Sequence, residues 1–202
     1  MNVTVIRKRR NKRMYLRVKD GEVVVTAPAF VSDQEIEAFV HSRSDWIALQ
    51  LEKNRPLQTG DELNILQETY TVIRDDKTYV DGHRLHLSDQ KALQALILEK
   101  SEAYLRKRFA DWQDRMGYAD LTLKFGFYTS KWGSCQPAKR LIRLNGYLAL
   151  CDPEGIDAVI VHELCHLKVL GHSQRFYQEI SKWLPDYKQA MASVKRIRIP
   201  RV

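Results

Sequence analysis

Four residues in the C-terminal third carry side chains suited to one shared reaction. His162, Glu163 and His166 form the run His-Glu-Leu-Cys-His, and His172 follows six residues later, directly after Gly171. On an α-helix, residues four apart project from one face with Cβ atoms ~6 Å apart, so both imidazoles reach a single metal ion. Glu163 then sits beside that ion, placed to take a proton from metal-activated water. Three protein donors with a fourth position left open is the catalytic pattern for zinc, whereas structural zinc sites are closed and cysteine-rich. By spacing, His172 is the third donor, and Glu179 in the following helical stretch is the alternative.

These groups need a helix and a sheet to hold them. Asp152-Pro153 reads as a helix start, Asp accepting a free backbone N–H and Pro standing where no donor is needed. The spacing predicts a helix from there to Leu170, ended by Gly171. Its apolar run is interrupted only by the polar trio, and burying that trio without a ligand would be costly. The histidine spacing matches that of metzincins, but Val169 stands at the glycine position of their pattern. Upstream, LTLKFGFY and LIRLNGYLAL read as strands flanking a polar turn, TSKWGSCQPAKR. If the second strand is a sheet edge, Asn145 and the backbone of residues 144–148 can pair with an extended substrate.

Earlier segments complete an α+β chain. MYLRVKDGEVVVTAP alternates about Asp20-Gly21 and predicts a β-hairpin. Ser32 and Glu35 form a capping box for a helix that is broken slightly near His41 and ended by Pro56. Residues 60–88 read as three short strands. Ser88 opens a long helix through Arg115, burying Leu93, Leu96, Ile97, Ala103, Leu105, Phe109 and Trp112, and Gly117 stops it. This organisation divides the chain into a β-rich region with one helix, residues 1–87, and a catalytic region, residues 88–202, expected to pack as one compact unit. Cys165 lies about 100° round the helix from His166 and reads as a small buried residue, as does Cys135. Trp132, Phe176, Trp183 and Met191 read as packing, and His41, His83 and His86 as exposed or hairpin residues.

Composition excludes several classes. The chain has 202 residues, 44% of them hydrophobic, and three cysteines, which argues against disorder and against a disulfide scaffold. No apolar stretch approaches the ~20 residues of a membrane helix, and no secretory signal is visible, so a soluble cytoplasmic protein with free thiols is expected. The net charge of +8 is unevenly spread. Eight cations between Arg7 and Lys19, against Asp20, give residues 1–20 a charge of +7, and Lys195, Arg196, Arg198 and Arg201 give the last eleven +4. The body, residues 21–191, is left at −3. The basic ends are candidates for nucleic-acid contact.

KWGSC at 131–135, IRLNGYLAL at 142–150, VIVHELCHLKVLGHS at 159–173 and RFYQEISKWLPDYK at 175–188 together resemble the YgjP-like metallopeptidase family, relatives of the SprT-like zinc proteases. The resemblance spans nearly the whole chain and is strongest over residues 125–190. It departs at Lys131, where the family pattern has Arg: the charge is kept and the planar fork lost. The resemblance implies a minimal zincin-like catalytic domain with a zinc ion on His162, His166 and His172 and with Glu163 as general base. Lys131 and Asn145 are the candidate substrate-binding residues. A metallopeptidase acting on peptides or proteins is the leading expectation. Some members of this group are described as nucleotide pyrophosphohydrolases, so a nucleoside triphosphate is the second candidate substrate, although no GxxxxGK[ST] loop is present. A nucleic-acid-binding module with a vestigial metal site is the third expectation.

Overall fold

The computed structural model describes residues 3–19 and 21–202, and the chain forms two compact units, Met1–Leu57 with Arg201, and Gln58–Pro200 with Val202. In the first, β1 (Val3–Lys8), β2 (Tyr15–Lys19) and β3 (Glu22–Pro28) form a sheet of order β1-β3-β2. β2 and β3 are the antiparallel pair that the alternation predicts. Asp20 of the expected turn lies outside the described residues, and Gly21 takes φ +79°. β1 joins on the far side of β3 as a parallel strand, a pairing that no local signal announces.

Ser32 accepts the Glu35 N–H while its own N–H donates to the Glu35 carboxylate, so the predicted capping box forms in full. The helix it starts is two helices, α1 (Asp33–His41) and α2 (Ser44–Asn54). At the break, the Ser42 hydroxyl donates to the Phe39 carbonyl at 2.8 Å, the kind of local bond by which serine competes with helix continuation. Arg55, preceding Pro56, is extended, as the proline ring demands. Val23, Val25 and Ala27 from β3 pack against Ile36, Val40 and Ile47.

The second unit opens with β4 (Glu62–Ile65), β5 (Glu68–Arg74), β6 (Tyr79–Asp81) and β7 (Arg84–Leu87) in the order β4-β5-β7-β6. There are four strands here, not three, because Leu66 and Gln67 both take positive φ, 48° and 69°, and fold one expected strand into a hairpin. Neither residue is a usual occupant of such a turn. α3 (Gln90–Arg115) is capped by Asp89, one residue after the predicted Ser88, through bonds from the N–H groups of Lys91 and Ala92. Its buried stripe is Leu93, Ile97, Ser101, Leu105, Phe109 and Trp112. Ala103 is exposed and Leu96 half-buried, and Ser101 is tolerated inside because its hydroxyl donates to the Ile97 carbonyl.

The last sheet has the order β8-β10-β9, with β8 (Thr122–Gly126), β9 (Gly133–Gln136) and β10 (Leu141–Asn145). The polar turn thus contains a strand of its own, β9, antiparallel to β10, while β8 runs parallel on the other side. α4 (Pro153–Cys165), α5 (Gln174–Trp183) and α6 (Tyr187–Arg196) follow. Buried faces of α3, β10 and α4 to α6 share one core that includes Phe109, Leu144, Val161 and Phe176. The architecture is α+β, and no helix among the described residues is long and apolar enough to cross a membrane.

Candidate metal centre

α4 is apolar on nearly every side. Ala158, Ile160, Val161, Leu164 and Cys165 are fully buried, so the helix runs through the core and its few polar groups are held in fixed positions. Pro153 occupies its first turn, but the Asp152 side chain makes no capping bond. The helix ends at Cys165 rather than at Leu170. Beyond it, the N–H groups of Leu167 and Lys168 bond three residues back, and His166 Nδ1 meets the Val169 carbonyl at 3.2 Å. That tightened exit turns the chain back early, and Gly171 at φ +74° delivers His172 to the first two histidines.

The three imidazoles converge. His162 Nε2 lies 3.2 Å from His166 Nε2 and 3.1 Å from His172 Nε2, and all three donor atoms fall within 4.8 Å of one another. Donors on a tetrahedral ion at ~2.0–2.1 Å would stand about 3.3 Å apart, so the spacing suits a first shell of zinc's size. On His162 and His166 the other ring nitrogen is engaged elsewhere. His162 Nδ1 bonds the Tyr187 hydroxyl at 2.7 Å, and a proton on His166 Nδ1 is taken by the Val169 carbonyl, leaving Nε2 as a lone pair. Burial pushes His162 down to about 4, with His166 and His172 adding to the shift, and burial also lowers His166. Neutral imidazoles are the form that binds a cation. The donor set therefore fits a divalent metal. Phe176, fully buried, supports all three rings, stacking on His166 at a centroid distance of 4.4 Å.

Glu163 is 5% exposed and lines the same cavity of about 490 Å³ as the histidines. Burial pushes its carboxyl up to about 7, opposed by the charge of Lys131. It fits only because β9 begins with glycine. A Cβ at Gly133 would lie 2.6 Å from Glu163 Oε1 and 2.7 Å from its Cγ.

The other predicted residues are placed unequally. Lys131 lines the cavity, with its ammonium 4.8 Å from the Tyr128 ring centre. Asn145 does not. β10 is the central strand of its sheet, not an edge, and the fully buried Asn145 side chain donates to the carbonyls of Tyr128 and Lys131 at 2.7 and 2.8 Å. Its contribution is to anchor the loop before β9, and the expectation of substrate pairing along residues 144–148 is corrected accordingly. The edge strands are β8 and β9, and Gly133, Ser134 and Cys135 of β9 line the cavity. Glu179 is turned to Lys168 and Lys182, at 3.1 and 2.6 Å, and stands outside the histidine cluster. Cys165 is buried and Cys135 half-buried, and burial pushes their thiols up to about 12 and about 11. Met191 packs on the core from α6 and also lines the cavity. His86 is not a plain surface residue: it is half-buried, stacks on Tyr79 and bonds Asp75 at 2.7 Å. Sequence reasoning missed Tyr187 altogether, since a tyrosine 25 residues from its histidine leaves no spacing signal.

Comparison with known proteins bears on the same region. A family model described as YgjP-like, metallopeptidase domain, matches residues 12–197. No curated protein matches the chain in sequence. Among solved structures, the metallopeptidase zymogen of Pyrococcus abyssi abylysin is 19% identical with a TM-score of 0.43, over 48% of this chain and 99% of that one. The zymogen of Methanocaldococcus jannaschii jannalysin is 17% identical with a TM-score of 0.41, over 46% of this chain and 94% of that one. Because the family model runs across nearly the whole sequence and through every element that builds the cavity, the chain belongs to the YgjP-like family of metallopeptidase domains and is a metal-dependent hydrolase.

Proposed function

We propose that this protein is a zinc peptidase in which His162, His166 and His172 hold the metal and Glu163 is the general base. The observation that carries this reading is the convergence of three imidazoles, their donor nitrogens within 4.8 Å of one another, beside a buried glutamate in one cavity. A bound zinc ion supplies a Lewis acid there, which polarises a carbonyl and acidifies water. The chain's own groups do the rest. Glu163 accepts the proton of the attacking water and returns it to the departing amide nitrogen. Its buried position raises its proton affinity towards that of a base working near neutral pH. Gly133 keeps the space into which the carboxylate fits, and the free edge of β9 offers backbone groups to a substrate lying extended beside it. Asn145 fixes the loop that carries Lys131, so the cavity wall stays in place during turnover.

The cavity wall favours an amide over a polyphosphate. Among its described lining residues Lys131 is the one Lys or Arg, whereas a triphosphate calls for several cations. The test is Glu163→Gln, assayed on casein and on nucleoside triphosphates alongside the metal content. Full metal occupancy with peptide turnover lost supports the assignment. Undiminished peptide turnover in the variant refutes the role of Glu163, and nucleotide consumption without peptide cleavage refutes the substrate class.

A further inference from the structure

One end of the N-terminal sheet gathers cations that the hydrolytic chemistry does not use. Lys8 stands opposite Pro28 at the end of β1, and β2 begins with Tyr15 opposite Thr26. Residues 9–14, which join β1 to β2, therefore lie at the same end of the sheet as Phe30, two residues beyond β3. Lys8, Arg9, Arg10, Lys12 and Arg13 are exposed there, and no carboxylate pairs with them among the described residues. Arg7 is different, because its guanidinium is taken by Asp33 and the Val31 carbonyl.

The sheet adds flat apolar surface to this charge. Its β3 residues Val23, Val25 and Ala27 face the helices and are buried, so the alternate positions of the three strands form the other face. By register that face carries Ile6, Thr26 and Tyr15 in one row, with Arg17 and Val24 in the next. Tyr15 is 51% exposed and Phe30 80% exposed. Large rings left in water beside unpaired cations match the two needs of an unpaired polynucleotide strand, phosphate neutralisation and base stacking. An acidic peptide would use the cations and leave the rings without a role, and a duplex hides its base faces.

We propose that this end of the N-terminal sheet binds single-stranded nucleic acid, with phosphates on Lys8, Arg9, Arg10, Lys12 and Arg13 and bases stacked on Tyr15 and Phe30. The reading is independent of the peptidase assignment. It is tested by fluorescence anisotropy of the full chain with labelled oligothymidine, with duplex DNA and polyglutamate as competitors. Five phosphate contacts predict about 130-fold weaker binding between roughly 50 and 200 mM salt. Tyr15→Ala and Phe30→Ala should each weaken binding about 5- to 100-fold, while Tyr15→Phe, which keeps the ring, should not. Arg9→Gln with Arg10→Gln should flatten the salt dependence. Circular dichroism checks that each variant folds. Absence of binding at low salt, equal competition by polyglutamate or duplex, or indifference to both alanine variants would overturn the proposal.

Discussion

Gly133→Ala tests the active-site geometry without touching a donor or a base. The added methyl would lie 2.6, 2.7 and 2.9 Å from Oε1, Cγ and Cδ of Glu163, against an ordinary contact of 3.4 Å or more. The glutamate must therefore retreat by roughly 0.5–1 Å, into the cavity that it lines. A misplacement of about 1 Å at a reacting group costs on the order of 100-fold in rate. In the proposed mechanism Glu163 acts on water rather than on the substrate's side chains, so the loss should fall on kcat and leave KM nearly unchanged. Metal content should also be unchanged, since none of the three imidazoles is among the nearest neighbours of the new methyl. The assay is steady-state cleavage of a fluorogenic peptide library, with elemental analysis and thermal melting on the same preparations. A cycle with Glu163→Ala isolates the cause: with the carboxylate gone, the methyl should cost little further activity. A Gly133→Ala enzyme with kcat within about threefold of the wild type would refute the account of the strand and helix contact. An equal further loss in the Glu163→Ala background would refute the route through Glu163.

Tyr187→Phe removes the hydroxyl bonded to His162 Nδ1 and should lower metal affinity about 10- to 100-fold, measured by chelator competition, with the melting temperature little changed. Asn145→Ala leaves two loop carbonyls without their donor and should destabilise the protein by about 2–4 kcal/mol in urea titrations, with KM rising as Lys131 is released. In the four-stranded sheet, the bond from His86, reinforced by Asp76, holds Asp75 down at about 2 against an ordinary 3.8. A depressed carboxyl contributes stability that is present above about 3.8 and lost as pH falls through about 2. His86→Ala should return the Asp75 titration, followed by NMR, towards its ordinary value, and an unmoved titration would rule out the histidine as the cause.

What the sequence disclosed and what it concealed divide along physical lines. The capping box at Ser32, the proline stop after Asn54 and the pairing of His162 in the last turn of α4 with His166 at its C-cap depend on interactions within about four residues, and each can be read from the chain. Signals of that range fail where the outcome is decided by a distant partner. β10 looked like a possible edge because nothing local shows that β8 and β9 will flank it, and with that the apparent role of Asn145 changed from recognition to anchoring. The helix end was misplaced by five residues for a related reason. Leu167 to Leu170 have ordinary helical propensity, and the early exit coincides with non-helical bonds around His166 and with the delivery of His172 to the other rings. A longer α4 would carry residue 172 away from His162 along the helix axis at ~1.5 Å per residue. The third imidazole reaches the cluster because propensity was overridden there, so the disagreement between local preference and structure marks the place where the site is made.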